Sequence, residues 1–232
     1  MVNLSRGEFI PLFGFDHLIY IAGLMLIGFC LFFFRHKIKK KRTLITIIIL
    51  ILSLTQQVLL YGSYAVIMNF DLSESLPLHI SRINTILGII YLITKNEKLF
   101  KVLCFFSLYA WTSFLYPSRV YGISHPLGIS FFVNHVITLL LPFYAMISYQ
   151  ARVRLNDKYL SFLWFIVYLM VVLMVNPLVD GNYFYLKHKP VFPNLTDWLY
   201  IPGTLIVTFI LFGLGEKLYL TVQDRLKIPS KE

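Results

Sequence analysis

Apolar residues fall in seven long runs separated by short polar stretches: about 15–34, 44–68, 77–94, 99–116, 127–149, 159–178 and 198–220. Each is near the roughly 20 residues that carry a helix across about 30 Å of hydrocarbon. The pattern predicts an all-α, polytopic membrane helix bundle of seven transmembrane helices, with residues 1–232 as a single transmembrane bundle domain. The third run is the least apolar, because His79, Ser81, Arg82, Asn84 and Thr85 stand in its first half. The distribution of cations is the reason to keep it as a span.

The chain is 58% hydrophobic and 14% charged, against about 25% charged residues in soluble domains. Its net charge of +10 collects in short loops. With the N-terminus outside and the C-terminus in the cytoplasm, 16 Lys and Arg lie on the cytoplasmic side and four on the outer side, with Arg82 inside the third run. That is the bias that orients membrane proteins, and it fails if the third span is removed. No basic face is interleaved with exposed aromatics, so nucleic acid is not an expected partner. Cys30 and Cys104 lie inside apolar runs without CxxC spacing, which reads as packing rather than as a disulfide or metal motif. The first apolar run is too long for a cleavable signal sequence.

The polar residues inside the runs gather in the outer halves. Asp16 and His17 open the first span. Gln56, Gln57, Tyr61 and Tyr64 occupy the middle and outer part of the second. The third contributes its polar half, and the fifth carries Asn134 and His135 about two turns in. The cytoplasmic halves are almost uniformly apolar. An outer-leaflet polar pocket roofed by the outer loops is the expectation.

Ionisable groups in a membrane are costly and point to function, yet each has a plainer reading. His17 near a helix start suits an interfacial anchor. Arg82 can snorkel to headgroups. His135 can be a buried histidine satisfied by a neighbouring helix, and Ser81 can bond its own backbone. His79 and Ser81 are two residues apart, about 200° around a helix, so they form no dyad with each other. A base for Ser81 comes from another helix, and His135 enters from the same side at similar depth. Four histidines without a carboxylate make a poor zinc site, no carboxylate lies in the middle of a span, and no nucleotide motif is present. No metal and no cofactor is expected.

Several segments carry a resemblance. These are FDHLIYI at the first span, LPLHISRI at the third, HPLGISFFVNH at the fifth and GNYFYLKHKP in the last outer loop. Together they cover about residues 15–215, and the chain resembles the YwaF family of bacterial integral membrane proteins, related to the eukaryotic transmembrane protein 164. The resemblance implies a multi-pass protein of a bacterial plasma membrane. The eukaryotic relative is described as an acyltransferase acting on lysophospholipids through a cysteine in a membrane helix. The androgen-induced-gene hydrolases, which cleave fatty esters with an intramembrane threonine and histidine, are a more distant analogy. His79 matches the LPLH histidine and His135 the fifth-span histidine. In the family a cysteine often stands two residues after the LPLH histidine, and here that place is Ser81.

Two functional expectations follow. One is acyl transfer or ester hydrolysis on a membrane lipid, a phospholipid or lysophospholipid. Ser81 is then the nucleophile, His135 the general base and His79 an orienting or oxyanion-stabilising group. Arg82, Asn134, Asn182, Tyr183 and His17 bind the substrate. The other is a non-enzymatic protein that uses the same pocket to bind or transport a small polar ligand, or serves as an accessory subunit.

Overall fold

The computed structural model describes residues 8–190 and 192–228. Ten α-helices follow one another among these residues: α1 Phe15–Phe33, α2 Arg35–Lys40, α3 Arg42–Ile67, α4 Leu72–Ser75, α5 Ile80–Thr94, α6 Glu97–Ser107, α7 Tyr109–Leu115, α8 Pro126–Tyr149, α9 Asp157–Val179 and α10 Asp197–Arg225. A short 3-10 turn, Tyr183–Tyr185, lies between the last two. Among the described residues there is no β-sheet, only an isolated bridge between Phe9 and Tyr121. Among the described residues, six helical stretches are long and apolar enough to cross a membrane: α1, α3, α6 with α7, α8, α9 and α10. The chain is a polytopic all-α membrane bundle.

The surface is inverted relative to a soluble protein. Met25 and Phe29 on α1, Ile51 and Val58 on α3, Met174 on α9 and Ile206 on α10 are exposed. Contiguous apolar faces of that extent belong against lipid. The core is aromatic: Phe105, Phe165, Phe212 and Tyr219 are almost completely buried. Helix α8 runs through the middle and packs against α1, α3, α5, α6 and α7. Its first turn comes so close to the preceding loop that a Cβ on Gly128 would stand 1.9 Å from the Gly122 carbonyl oxygen.

Two spans differ from the sequence pattern. The third run, expected over 77–94, is helical only over Ile80–Thr94. Fifteen residues rise about 22 Å, short of the hydrocarbon thickness. Pro77 is the cause: it pushes Leu76 into an extended conformation (φ −66°, ψ 152°), the chain turns at Pro77 and Leu78, and His79 is extended again before α5 begins. Backbone without its helical bonds survives at membrane depth only where protein satisfies it. Here Arg82 and Tyr183 bond the exposed carbonyls, as described below. The fourth run, expected over 99–116, is two helices offset at Leu108.

The end carrying most of the cations also departs from expectation. The cytoplasmic halves read as almost uniformly apolar, yet this basic end holds buried polar pairs. Lys101 binds Asp157 at 2.6 Å, and Lys158 binds Glu216 at 2.9 Å with the glutamate 4% exposed. The Gln223 side chain bonds both backbone groups of Val153. These pairs tie α6 to α9 and α9 to α10 where loop backbone turns back into the bundle.

Candidate functional site

At the end opposite the basic loops, the helices part around a cavity of about 650 Å³. Gln56, Leu60 and Tyr64 of α3 form one wall, and the first turn of α5 supplies Ile80, Ser81 and Arg82. Ser130, Phe131, Asn134 and His135 of α8 face them, and Gly203, Thr204 and Val207 of α10 close the far side. Val120, Tyr121, Asn182 and Tyr185 roof it from the loops. A cavity is present where the polar halves of the spans were expected to meet, but its wall is more apolar than polar, and α10 and its preceding loop extend it. A second hollow of about 410 Å³ adjoins it and shares Glu74, Arg119 and Asn182 as walls.

Of the eight site residues named from the sequence, the structure brings six to the main cavity: Ser81, His79, His135, Arg82, Asn134 and Asn182. His17 and Tyr183 are not on its wall. The Phe13 N–H donates to His17 Nδ1 at 2.9 Å, so Nε2 carries the proton and donates to the Phe114 carbonyl at 2.7 Å. Both nitrogens are used to pin the start of α1 to α7. The Tyr183 hydroxyl accepts from the Leu76 N–H at 2.8 Å and donates to the Leu72 carbonyl at 2.5 Å, which holds α4 in place.

His135 is 7% exposed. Its Nδ1–H donates to the Phe131 carbonyl one turn earlier, at 2.8 Å. A carbonyl can only accept, so the neutral ring keeps its lone pair on Nε2. The ring packs on Phe131, with centroids 4.1 Å apart, and edge-on to Phe114 at 6.2 Å. These contacts hold a basic nitrogen in place on a desolvated wall.

Ser81 is the second residue of α5. The N-cap, His79, gives no side-chain cap, and the first intrahelical bonds run from Arg82 and Ile83 to the His79 carbonyl. The N–H groups of Ile80 and Ser81 therefore lie outside the helical ladder, at the positive end of the helix dipole. The Ser81 hydroxyl forms no hydrogen bond with either histidine. The Ser81 carbonyl binds the Thr85 hydroxyl at 2.9 Å, and that hydroxyl also bonds the Asn134 side chain. One hydroxyl proton serves one acceptor, so an Asn134 amide turned with its NH2 toward Thr85 satisfies both contacts. The pair fixes α5 against α8 directly below Ser81.

Arg82 spends most of its guanidinium on the roof. It donates to the Glu74 and Leu76 carbonyls at 2.6 and 2.8 Å and to the Tyr64 hydroxyl. Two of its five N–H groups are left for a ligand. The Asn182 side-chain oxygen accepts from the Lys187 and His188 N–H groups at 3.0 and 2.8 Å, leaving its NH2 end for the cavity.

Sequence reasoning did not single out Glu74 or Arg119. Arg119 binds Glu74 at 2.6 Å, and His79 Nε2 lies 3.7 Å from the other carboxylate oxygen. Burial pushes the Glu74 carboxyl up, but the His79 ring and the Arg119 charge outweigh it and hold the group below its usual range. Glu74 is thus a carboxylate linking His79 to the roof. It stands in the short helix α4 with no motif around it, and only folding brings it to His79.

No curated protein and no solved structure matches the chain. The family comparison is positive and spans most of its length. Matched over residues 12–216, a range that contains every wall of the cavity drawn from α3, α5, α8 and α10, the chain belongs to the TMEM164 family.

Proposed function

We propose that the cavity receives a membrane phospholipid or lysophospholipid and that Ser81 and His135 carry out acyl transfer or ester hydrolysis on it, in a bacterial plasma membrane. The observation that carries this reading is the His135 ring, whose Nε2 keeps its lone pair and which lines the same cavity as Ser81 from the facing helix. In the reaction, Ser81 Oγ bonds to the ester carbonyl carbon and its proton passes to His135 Nε2. The Ser81 N–H lies at the helix end suited to the oxyanion. Collapse breaks the ester C–O bond, His135 returns the proton to the departing alcohol, and an acyl-serine remains. A lysophospholipid hydroxyl or water then attacks that acyl group, with His135 again taking the proton. His79, tied to Glu74, orients the entrance, and the free N–H groups of Arg82 and Asn182 hold the phosphate. The base must come within about 2.6–3.2 Å of the serine when substrate is bound.

The test is acyl-ester turnover by the purified protein. Ser81→Ala and His135→Ala should each abolish it. Full turnover by Ser81→Ala beside loss in His135→Ala removes Ser81 as nucleophile.

One observation favours the non-enzymatic reading, binding or transport of a small polar ligand: the Ser81 hydroxyl is not bonded to a histidine. Ligand retention without any ester turnover, unchanged in Ser81→Ala, supports that reading instead.

A further inference from the structure

The charges at the basic end are unevenly matched. On the side of α6, α9 and α10, Lys101 has Asp157, Lys158 has Glu216, and the Arg152 guanidinium donates to the Ile228 carbonyl at 2.7 Å, while Lys98, Arg154, Lys217, Arg225 and Lys227 form no ion pair among the described residues. On the side of α2, α3 and α5, the six cations of residues 35–42 and Lys95 form no ion pair among the described residues. Helix α2, RHKIKK, buries none of its residues. Glu97, the acid nearest Lys95 in sequence, is exposed at the start of α6.

Two of these unmatched cations are held at one spot. The Lys95 ammonium lies 4.4 Å from the centroid of the Tyr149 ring and the Arg42 guanidinium 5.6 Å from it, so the charges stand within about 10 Å of each other. The ring is fixed in turn, because its hydroxyl bonds the Thr46 hydroxyl at 2.5 Å. Lys95 takes a left-handed conformation (φ 54°) to cap α5, and its ammonium donates to the Leu92 carbonyl. Arg42 makes one long contact, 3.5 Å, with the Ser148 carbonyl. Both cations therefore keep most of their N–H groups free. They mark the boundary where the apolar face of α3 begins, with Leu44, Ile48 and Ile51 exposed beside them.

We propose that the Arg42–Lys95–Tyr149 corner, flanked by α2, binds the phosphate headgroup of an anionic phospholipid in the leaflet at the basic end. Guanidinium and ammonium donors at headgroup depth suit a phosphate, and the exposed α3 face gives the acyl chains an apolar track. A zwitterionic lipid brings its own ammonium into the corner, so net negative charge is the selected property. The site is separate from the cavity at the opposite end and does not depend on its chemistry.

Native mass spectrometry of the purified protein with equal phosphatidylglycerol and phosphatidylcholine of matched chains tests it. Phosphatidylglycerol should be retained in preference. Arg42→Gln with Lys95→Gln should lower that retention about tenfold, and Lys37→Gln, Lys39→Gln, Lys40→Gln on exposed α2 should lower it in part. If the double variant does not fold, the α2 variant decides. Lys217→Gln, exposed on α10, should leave retention unchanged. Equal retention of the two lipids overturns the proposal. So does unchanged retention in the folded variants, an equal loss in Lys217→Gln, or full displacement by glycerol 3-phosphate, which reassigns the corner to free phosphate.

Discussion

The His135 Nδ1–H donates to the Phe131 carbonyl at 2.8 Å, and that single bond decides which nitrogen of the ring keeps its lone pair to act as a base. A residue that fills the same space without a lone pair at that place should fold and fail. His135→Phe is therefore expected to keep the thermal stability of the parent within about 1 kcal/mol, since an aromatic replaces an aromatic among Phe114 and Phe131. Acyl-ester turnover should fall by about two to four orders of magnitude, the usual worth of a general base. A thermal melt beside a turnover assay separates the two effects.

Arg82 holds the roof more than it offers itself to a ligand. Its bonds to the Glu74 and Leu76 carbonyls replace the helical bonds that Pro77 denies this stretch. A lysine has one charged nitrogen and cannot span both carbonyls and Tyr64. Arg82→Lys should destabilise the protein by about 2–3 kcal/mol, the scale of losing hydrogen bonds to a charged group. Hydrogen exchange should speed up in residues 72–79 before the rest of the bundle.

Gly128, the glycine of HPLGIS, is required by space rather than by dihedral angle. A Cβ there meets the Gly122 carbonyl oxygen at 1.9 Å and the Tyr20 hydroxyl at 2.7 Å. One obstacle is backbone, so it cannot rotate away. Gly128→Ala should cost about 1–3 kcal/mol in a thermal or denaturant unfolding measurement.

Gly203 is the opposite case. It lines the cavity, and a Cβ added to it has no heavy atom within 4 Å. Gly203→Leu should fold normally while its side chain occupies space meant for a ligand. Lipid retention and turnover should each fall about tenfold or more, with the melting temperature unchanged.

Much of this was legible in the sequence. The spans followed from apolar runs, and the position of the cavity followed from the polar halves of spans two, three and five. What escaped depended on contacts between distant residues. Arg82 read as a headgroup ligand because its partners are carbonyls of a neighbouring loop, which no side-chain pattern reveals. Glu74 was invisible because its role exists only through His79 and Arg119. His17 and Tyr183 stood among polar neighbours, yet their polar atoms turn inward to backbone groups. Asp157 and Glu216 sit near span ends, and their pairing with Lys101 and Lys158 needed the helices to be placed.

The measurement that bears most directly on the central claim is the covalent state of Ser81. The purified protein would be mixed briefly with a diacyl phospholipid, quenched in acid and mapped by peptide mass spectrometry. A peptide heavier by one acyl group, with the modification on Ser81, is expected from the parent and from neither Ser81→Ala nor His135→Phe. Ester turnover with Ser81 unmodified at every time point, and undiminished in Ser81→Ala, would contradict it.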